Sequence, residues 1–174
     1  MKRIIVIGSS GAGKSHFSQR LGELLGIDVI HIDKIYWQPG WIEPDKAEWA
    51  ERLKTFLAGE SWIIDGNYSG TIEMRLAACD TAIFLDLPRL LCVWRVIWRT
   101  ITFHRDTRPD MAVGCDERFD LKFLLWIWQY PKRSRPKIDR LLHEVEASKN
   151  VVRLRSRKEI EEFIESATEL SQNR

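Results

Sequence analysis

The chain has 174 residues, 44% of them hydrophobic and 30% charged, a length that predicts one packed domain over residues 1–174 and leaves no room for two ordinary ones. A formal charge of +2 gives no global case for a nucleic-acid or membrane partner, and the longest apolar run, Phe123 to Trp128, is far shorter than a membrane-crossing helix needs. The three cysteines, Cys79, Cys92 and Cys115, are odd in number and lack metal-ligand spacing, which argues against a disulfide framework or zinc site; with no signal-like h-region, a cytoplasmic location is expected.

Arg3 to Ile7 predicts the first strand. The octapeptide Gly8-Ser-Ser-Gly-Ala-Gly-Lys-Ser15 follows at once and fits the phosphate-loop pattern G-x-x-x-x-G-K-[ST]. His16 to Leu25 then spaces Phe17, Leu21, Leu24 and Leu25 for one helix face. A loop this rich in glycine curls its backbone N–H groups around phosphates, and the helix behind it points its positive end at the same anion. ATP is therefore expected along Gly8, Ser9, Ser10, Gly11, Ala12, Gly13, Lys14, Ser15 and His16. Lys14 would reach the β- and γ-phosphates, and Ser15 would give its hydroxyl to Mg²⁺.

Asp28 to Ile32 predicts the second strand, and Asp33 follows it. Its carboxylate is placed either to orient or deprotonate an acceptor hydroxyl or to cap the next helix. His31 beside it reads as a strand histidine. Pro39-Gly40 and Glu43-Pro44-Asp45 mark a loop, with Asp45 as N-cap of a helix over Lys46 to Leu57, so the stretch near 36–60 forms an acceptor-side insertion. The third strand, Trp62 to Ile64, ends in Asp65, expected on the substrate side and, through Ser15, in the water shell of Mg²⁺. Ala82 to Leu87 predicts the fourth strand.

Leu90 to Thr102 reads as a helix with Arg95 and Arg99 on one face. Phe103 to Asp116 has little periodicity and carries Arg105 and Arg108, which suits a flap, and a basic lid region is placed near 99–118. Glu117 to Tyr130 resumes as a helix ending at Pro131, and Val151 to Leu154 gives the fifth strand, followed by Arg155 on the cofactor side. Five strands separated by helices predict a parallel, doubly wound sheet with ligands at the carboxyl ends of its strands. From Pro88 to Arg140 twelve basic residues face six acidic ones. Within that stretch Arg99, Arg105 and Arg108 are the candidate clamps on a transferring phosphoryl group, because a guanidinium bonds phosphate oxygens bidentately and keeps its charge. His104 is a weaker catalytic candidate. The eight tryptophans read as a large aromatic core, with a stacking surface as the alternative for Trp94/Trp98 and Trp126/Trp128, which flank the basic stretch.

Gly8 to Ser15, Ile63-Ile-Asp-Gly66 and Phe84-Leu-Asp-Leu-Pro88 resemble the order found in adenylate-kinase-like P-loop kinases. More closely, His31-Ile-Asp-Lys-Ile-Tyr-Trp37, Pro39-Gly-Trp41, Asp65-Gly-Asn-Tyr-Ser-Gly70 and Arg133-Ser-Arg-Pro-Lys137 resemble the bacterial DNA topology modulation protein family. The resemblance implies an α/β P-loop NTPase fold, adenylate-kinase-like with a short lid, that binds ATP, and Arg75 as a ligand for an acceptor phosphate. Together with the residues it implies an ATP-dependent kinase acting on a small molecule or nucleotide. The alternative it carries is a nucleotide-dependent regulator of DNA topology that contacts DNA.

Overall fold

The computed structural model describes residues 1–103, 106 and 108–172. The apolar runs become β1 (Arg3–Gly8), β2 (Val29–His31), β3 (Trp62–Asp65), β4 (Thr81–Leu85) and β5 (Asn150–Leu154), paired in one parallel sheet of order β2-β3-β1-β4-β5. β1 is central and apolar on both faces, as strands covered by helices on both sides must be. Ile4 and Val6 pack with Phe17 and Leu21 of α1 (Lys14–Leu25), Cys92 and Val96 of α5 (Arg89–Thr102) and Ile164 of α8 (Arg157–Gln172). Ile5 and Ile7 face the opposite layer, formed by α3 (Lys46–Leu57), α4 (Ile72–Ala78) and α7 (Arg135–Val145), with Trp49, Leu53, Ile72, Leu76 and Leu141 in its core. Register places Val6 beside Asp65 and His31 beside Asp65, so the carboxyl ends of β1, β2 and β3 open at one edge.

Several boundaries differ from expectation, most by one or two residues. β2 ends at His31, and the short helix α2 (Ile32–Tyr36) takes up Asp33 in its first turn, where no side chain caps the helix. β4 ends at Leu85, and Asp86 bonds onward to β5 through its amide and the Leu154 carbonyl at 2.8 Å. α6 (Leu121–Arg133) starts four residues later than the apolar pattern implies, because the Asp120 carboxylate accepts from the amides of Lys122 at 2.8 Å and Phe123 at 3.1 Å. It also runs through Pro131, since Ser134 N–H still closes the last turn on Tyr130 O at 3.0 Å; α7 then starts at once with Pro136 in its first turn, where a missing N–H costs nothing. The Asp45 cap is present, accepting from Ala47 N at 2.8 Å and Glu48 N at 3.1 Å.

The tryptophans divide in a way the composition does not reveal. Trp49 and Trp62 are core residues, whereas Trp94 and Trp98 are each 60% exposed on α5. The three cysteines are buried and free. Among the described residues no helix is long and apolar enough to cross a membrane.

Candidate active site

The phosphate loop turns from β1 into α1 through backbone only glycine adopts freely at two points. Gly11 has φ 78°, and a Cβ there would stand 2.3 Å from the Cys92 carbonyl oxygen of α5. Gly13, at φ 91°, is the N-cap of α1. A glycine cap has no side chain to engage the first-turn amides, and that turn holds no acid, so the positive end of α1 is left for an anion. Side chains from outside hold the loop: Asn67 Oδ1 accepts from Gly8 N at 3.3 Å, and Arg95 Nη1 of α5 donates to the carbonyls of Gly11 and Ala12 at 3.4 Å each. Lys14 Nζ donates to Ser9 O at 3.1 Å. Burial pulls the Lys14 pKa below the usual lysine value, against the opposing pull of Asp33 and Asp65.

Ser10 and Lys14 open onto a cavity of about 740 Å³, whose wall also carries Asp33, Arg99 and Arg108. Asp33 accepts a hydrogen bond from the Tyr68 hydroxyl at 2.8 Å. Burial, then the Asp33 charge, push the Tyr68 pKa up, so its phenol stays a donor. This partnership sets aside the helix-cap role for Asp33. Aromatic rings form much of the remaining wall: Tyr68 lies 4.4 Å from Tyr36 and Trp37 lies 5.4 Å from Trp41, centroid to centroid. Arg118 sits over the Trp41 ring at 5.7 Å, and the α6–α7 junction contributes Arg133 and Lys137.

Glu117 organises Arg99 and Arg108. It is 5% exposed and pairs with Arg99 Nε at 2.8 Å and Arg108 Nε at 2.9 Å, while Arg108 also meets Asp110 at 3.6 Å. Burial and the neighbouring Arg108 charge lower the Arg99 pKa, and Glu117 opposes them. Burial works against the charged form of Asp110, but the Arg108 charge and the nearby Ser15 hydroxyl outweigh it and hold its carboxyl below the usual range. The segment Met111 to Asp116 is docked on the loop that carries Trp37 to Trp41: Gly40 N donates to Gly114 O at 2.9 Å, Trp41 Nε1 to Asp116 O at 3.2 Å, and Met111, Ala112 and Cys115 pack against Trp37 and Trp41. Trp41 itself has φ 65°, a left-handed conformation costly for a bulky side chain.

Asp65, expected on the substrate side, is buried and not on the cavity wall; it is bonded through Oδ1 to His31 Nδ1 at 3.1 Å, while its buried Oδ2 has no hydrogen-bond partner among the described residues. That bond raises the His31 pKa, against burial. Two expected ligands are placed elsewhere. Arg75 is fully buried and donates to three loop carbonyls, Gly66 O at 2.7 Å and Asn67 O and Tyr68 O at 3.1 Å each, so it braces the cavity wall from behind instead of lining it. Arg155 is exposed at the start of α8, where its amide donates to Glu159 Oε2 at 2.8 Å, and its side chain is not on the cavity wall. Arg105 and His104 lie outside the described residues.

Sequence reasoning missed Glu117, Asp110, Tyr68, Asn67 and Arg95, whereas Arg118, one of the arginines it weighed as a clamp, is on the cavity wall. Acids alternate with the arginines here, Asp106, Asp110, Asp116 and Glu117 among Arg99, Arg105, Arg108 and Arg118, so nothing local singles out Glu117 or Asp110; these residues are brought in by tertiary contact.

No protein-family model matches the chain, and no curated protein matches it in sequence. Solved structures do match over nearly its whole length. A sugar kinase from Janibacter sp., unliganded, aligns at 16% identity and TM-score 0.50, covering 99% of this chain and 93% of its own. Shikimate kinase from Acinetobacter baumannii in complex with shikimate aligns at 16% and 0.53, covering 99% and 90%. Deoxyadenosine kinase from M. mycoides with dCMP and dCDP bound aligns at 14% and 0.53, covering 98% and 96%. At these identities the likeness concerns architecture, and the architecture is the P-loop kinase fold: a five-stranded parallel sheet flanked by helices.

Proposed function

We propose that the protein is an ATP-dependent phosphotransferase acting on a small hydroxyl-bearing molecule. The observation that carries this is a single cavity whose wall joins the phosphate-loop lysine, a carboxylate free of any capping role, and two arginines held by one buried glutamate. A bare nucleotide-binding switch has no need of the second half of that list.

In this reading Gly8 through His16 cradle the triphosphate and Lys14 leaves Ser9 O for the β- and γ-phosphate oxygens. Asp33, oriented by Tyr68, accepts the acceptor's hydroxyl proton as its oxygen bonds to the γ-phosphorus and the bond to ADP breaks. Arg99 and Arg108 stabilise the charge on the transferring group, with Glu117 fixing their forks, and the docked lid excludes water. Mg²⁺ fits here as a companion of the nucleotide: Ser15 supplies a hydroxyl, Asp65 a buried unpartnered oxygen and Asp110 a carboxylate beside Ser15, while no group of three His, Cys, Asp or Glu among the described residues is set to hold a metal alone. When bound, the ion neutralises charge on the phosphates.

The structural neighbours include a sugar kinase, a shikimate kinase and a deoxyadenosine kinase, which supports a metabolite or nucleoside acceptor over a macromolecule. The resemblance to the DNA topology modulation family is compatible with the same cavity. The DNA reading is not favoured, because Arg99 and Arg108 turn inward to Glu117 instead of presenting themselves to a duplex. A cytoplasmic location accords with an ATP-consuming role. The test is ADP release from ATP and Mg²⁺ against a panel of hydroxylated metabolites, nucleosides and nucleotides: an acceptor-dependent signal is expected, and ATP hydrolysis indifferent to every acceptor would overturn the proposal.

A further inference from the structure

The outward side of α5 is apolar where a solvated helix should be polar. Leu90, Trp94, Ile97, Trp98 and Ile101 recur at intervals of three and four residues, with Ile101 67% exposed and the Trp94 and Trp98 rings stacked at 6.2 Å. α6 packs alongside and presents Leu121, Leu125 and Trp128 in the same spacing. The two helices run antiparallel: Arg89 at the start of α5 lies over the Trp128 ring at 4.1 Å, and Arg99 and Thr100 near its end meet Glu117, just before α6. The stripes therefore join into one face. It exposes roughly 900 Å² of side-chain surface, beyond the 300–600 Å² of the largest patch on a typical monomer and matching the ≈ 800 Å² each partner gives to a standard interface.

We propose that this face is the interface of a homodimer, a second copy of the chain seating its own α5–α6 pair on the first across a two-fold axis. The face matches in area what one partner gives to a standard dimer interface, and its two ends differ in charge: Arg89 and Lys132 stand at one end, while at the other Asp106, Asp116 and Asp120 are offset by Arg118 and Lys122. A two-fold axis perpendicular to the helices sets the basic end of each copy against the mixed-charge end of its partner and keeps the two basic ends apart, an isologous arrangement. On its inward side the same helix sends Arg95 to the carbonyls of Gly11 and Ala12, so a partner pressed on Trp94 and Trp98 steadies the helix that backs the phosphate loop.

The test is sedimentation of the full chain at micromolar concentration, with circular dichroism as a check of folding. The parent is expected at twice its 20.4 kDa chain mass. Trp94→Glu/Trp98→Glu should raise the dimer dissociation constant at least about a hundredfold, the loss expected for two tryptophans at an interface centre. Leu125→Lys on α6 should weaken it independently, and Val113→Glu, at a residue 83% exposed on the lid, should leave it unchanged. A monomeric parent would overturn the proposal, as would folded variants that remain dimeric. So would a monomeric parent that cosediments with phosphatidylserine vesicles, which would assign the face to a membrane surface.

Discussion

Replacing Arg75 with methionine separates a brace from a ligand. The guanidinium is fully buried, still charged although burial lowers its pKa to about 10, and gives hydrogen bonds of 2.7, 3.1 and 3.1 Å to Gly66, Asn67 and Tyr68 carbonyls. Methionine fills comparable space but donates nothing. Each charge-assisted bond contributes about 1.5–3 kcal/mol, and part of that sum is offset because a cation no longer has to be buried. The net loss is about 3–5 kcal/mol, which for a chain of this size lowers Tm by about 10 °C or more. The damage should reach the site, because Asn67 pins Gly8 and Tyr68 orients Asp33. Urea unfolding with equal m-values for parent and variant measures the loss directly. A change below about 1 kcal/mol, combined with a selective rise in acceptor KM, would refute the bracing role and restore Arg75 as an acceptor ligand.

Glu117→Ala leaves two guanidinia without their shared carboxylate, a loss of about 3–5 kcal/mol; the expected readout is faster hydrogen exchange at Met111 to Cys115, next to Arg108, and unchanged exchange there would contradict the pairing. His31 has a folded pKa above its ordinary 6.5, so the stability it contributes is fully present below pH 6.5 and is lost as pH rises through the folded value. His31→Gln should therefore narrow the gap between stability at acid and neutral pH, and an identical pH profile would dismiss the Asp65 contact. Lys14→Ala should slow turnover on the order of a hundredfold or more, and unchanged ATP turnover would end the phosphate-loop assignment.

The phosphate loop was legible because its chemistry is local: eight consecutive residues carry the glycines, the lysine and the hydroxyl, and the strand before them is an unbroken apolar run. The five strands were legible for the same reason. What could not be read was anything decided by contact between distant segments. Arg75 and Arg99 look alike in sequence, yet one is buried against loop carbonyls and the other lines the cavity through a glutamate 18 positions on. The start of α6 was misplaced because an apolar pattern cannot show that Asp120 caps the helix and that Glu117, engaged by two arginines, stays outside it. The outward tryptophans of α5 were read as core because periodicity finds a face without saying which way it points.

The most direct measurement is a paired one on Asp33→Asn: ATP affinity by calorimetry, and phosphoryl transfer to whichever acceptor the panel identifies. The carboxylate faces the cavity and Tyr68, and its substitution keeps the side chain's shape. If it accepts the acceptor's proton, ATP affinity should match the parent's while transfer falls by roughly a hundredfold or more. Full transfer activity in this variant, or equal losses of transfer and ATP affinity, would contradict the account.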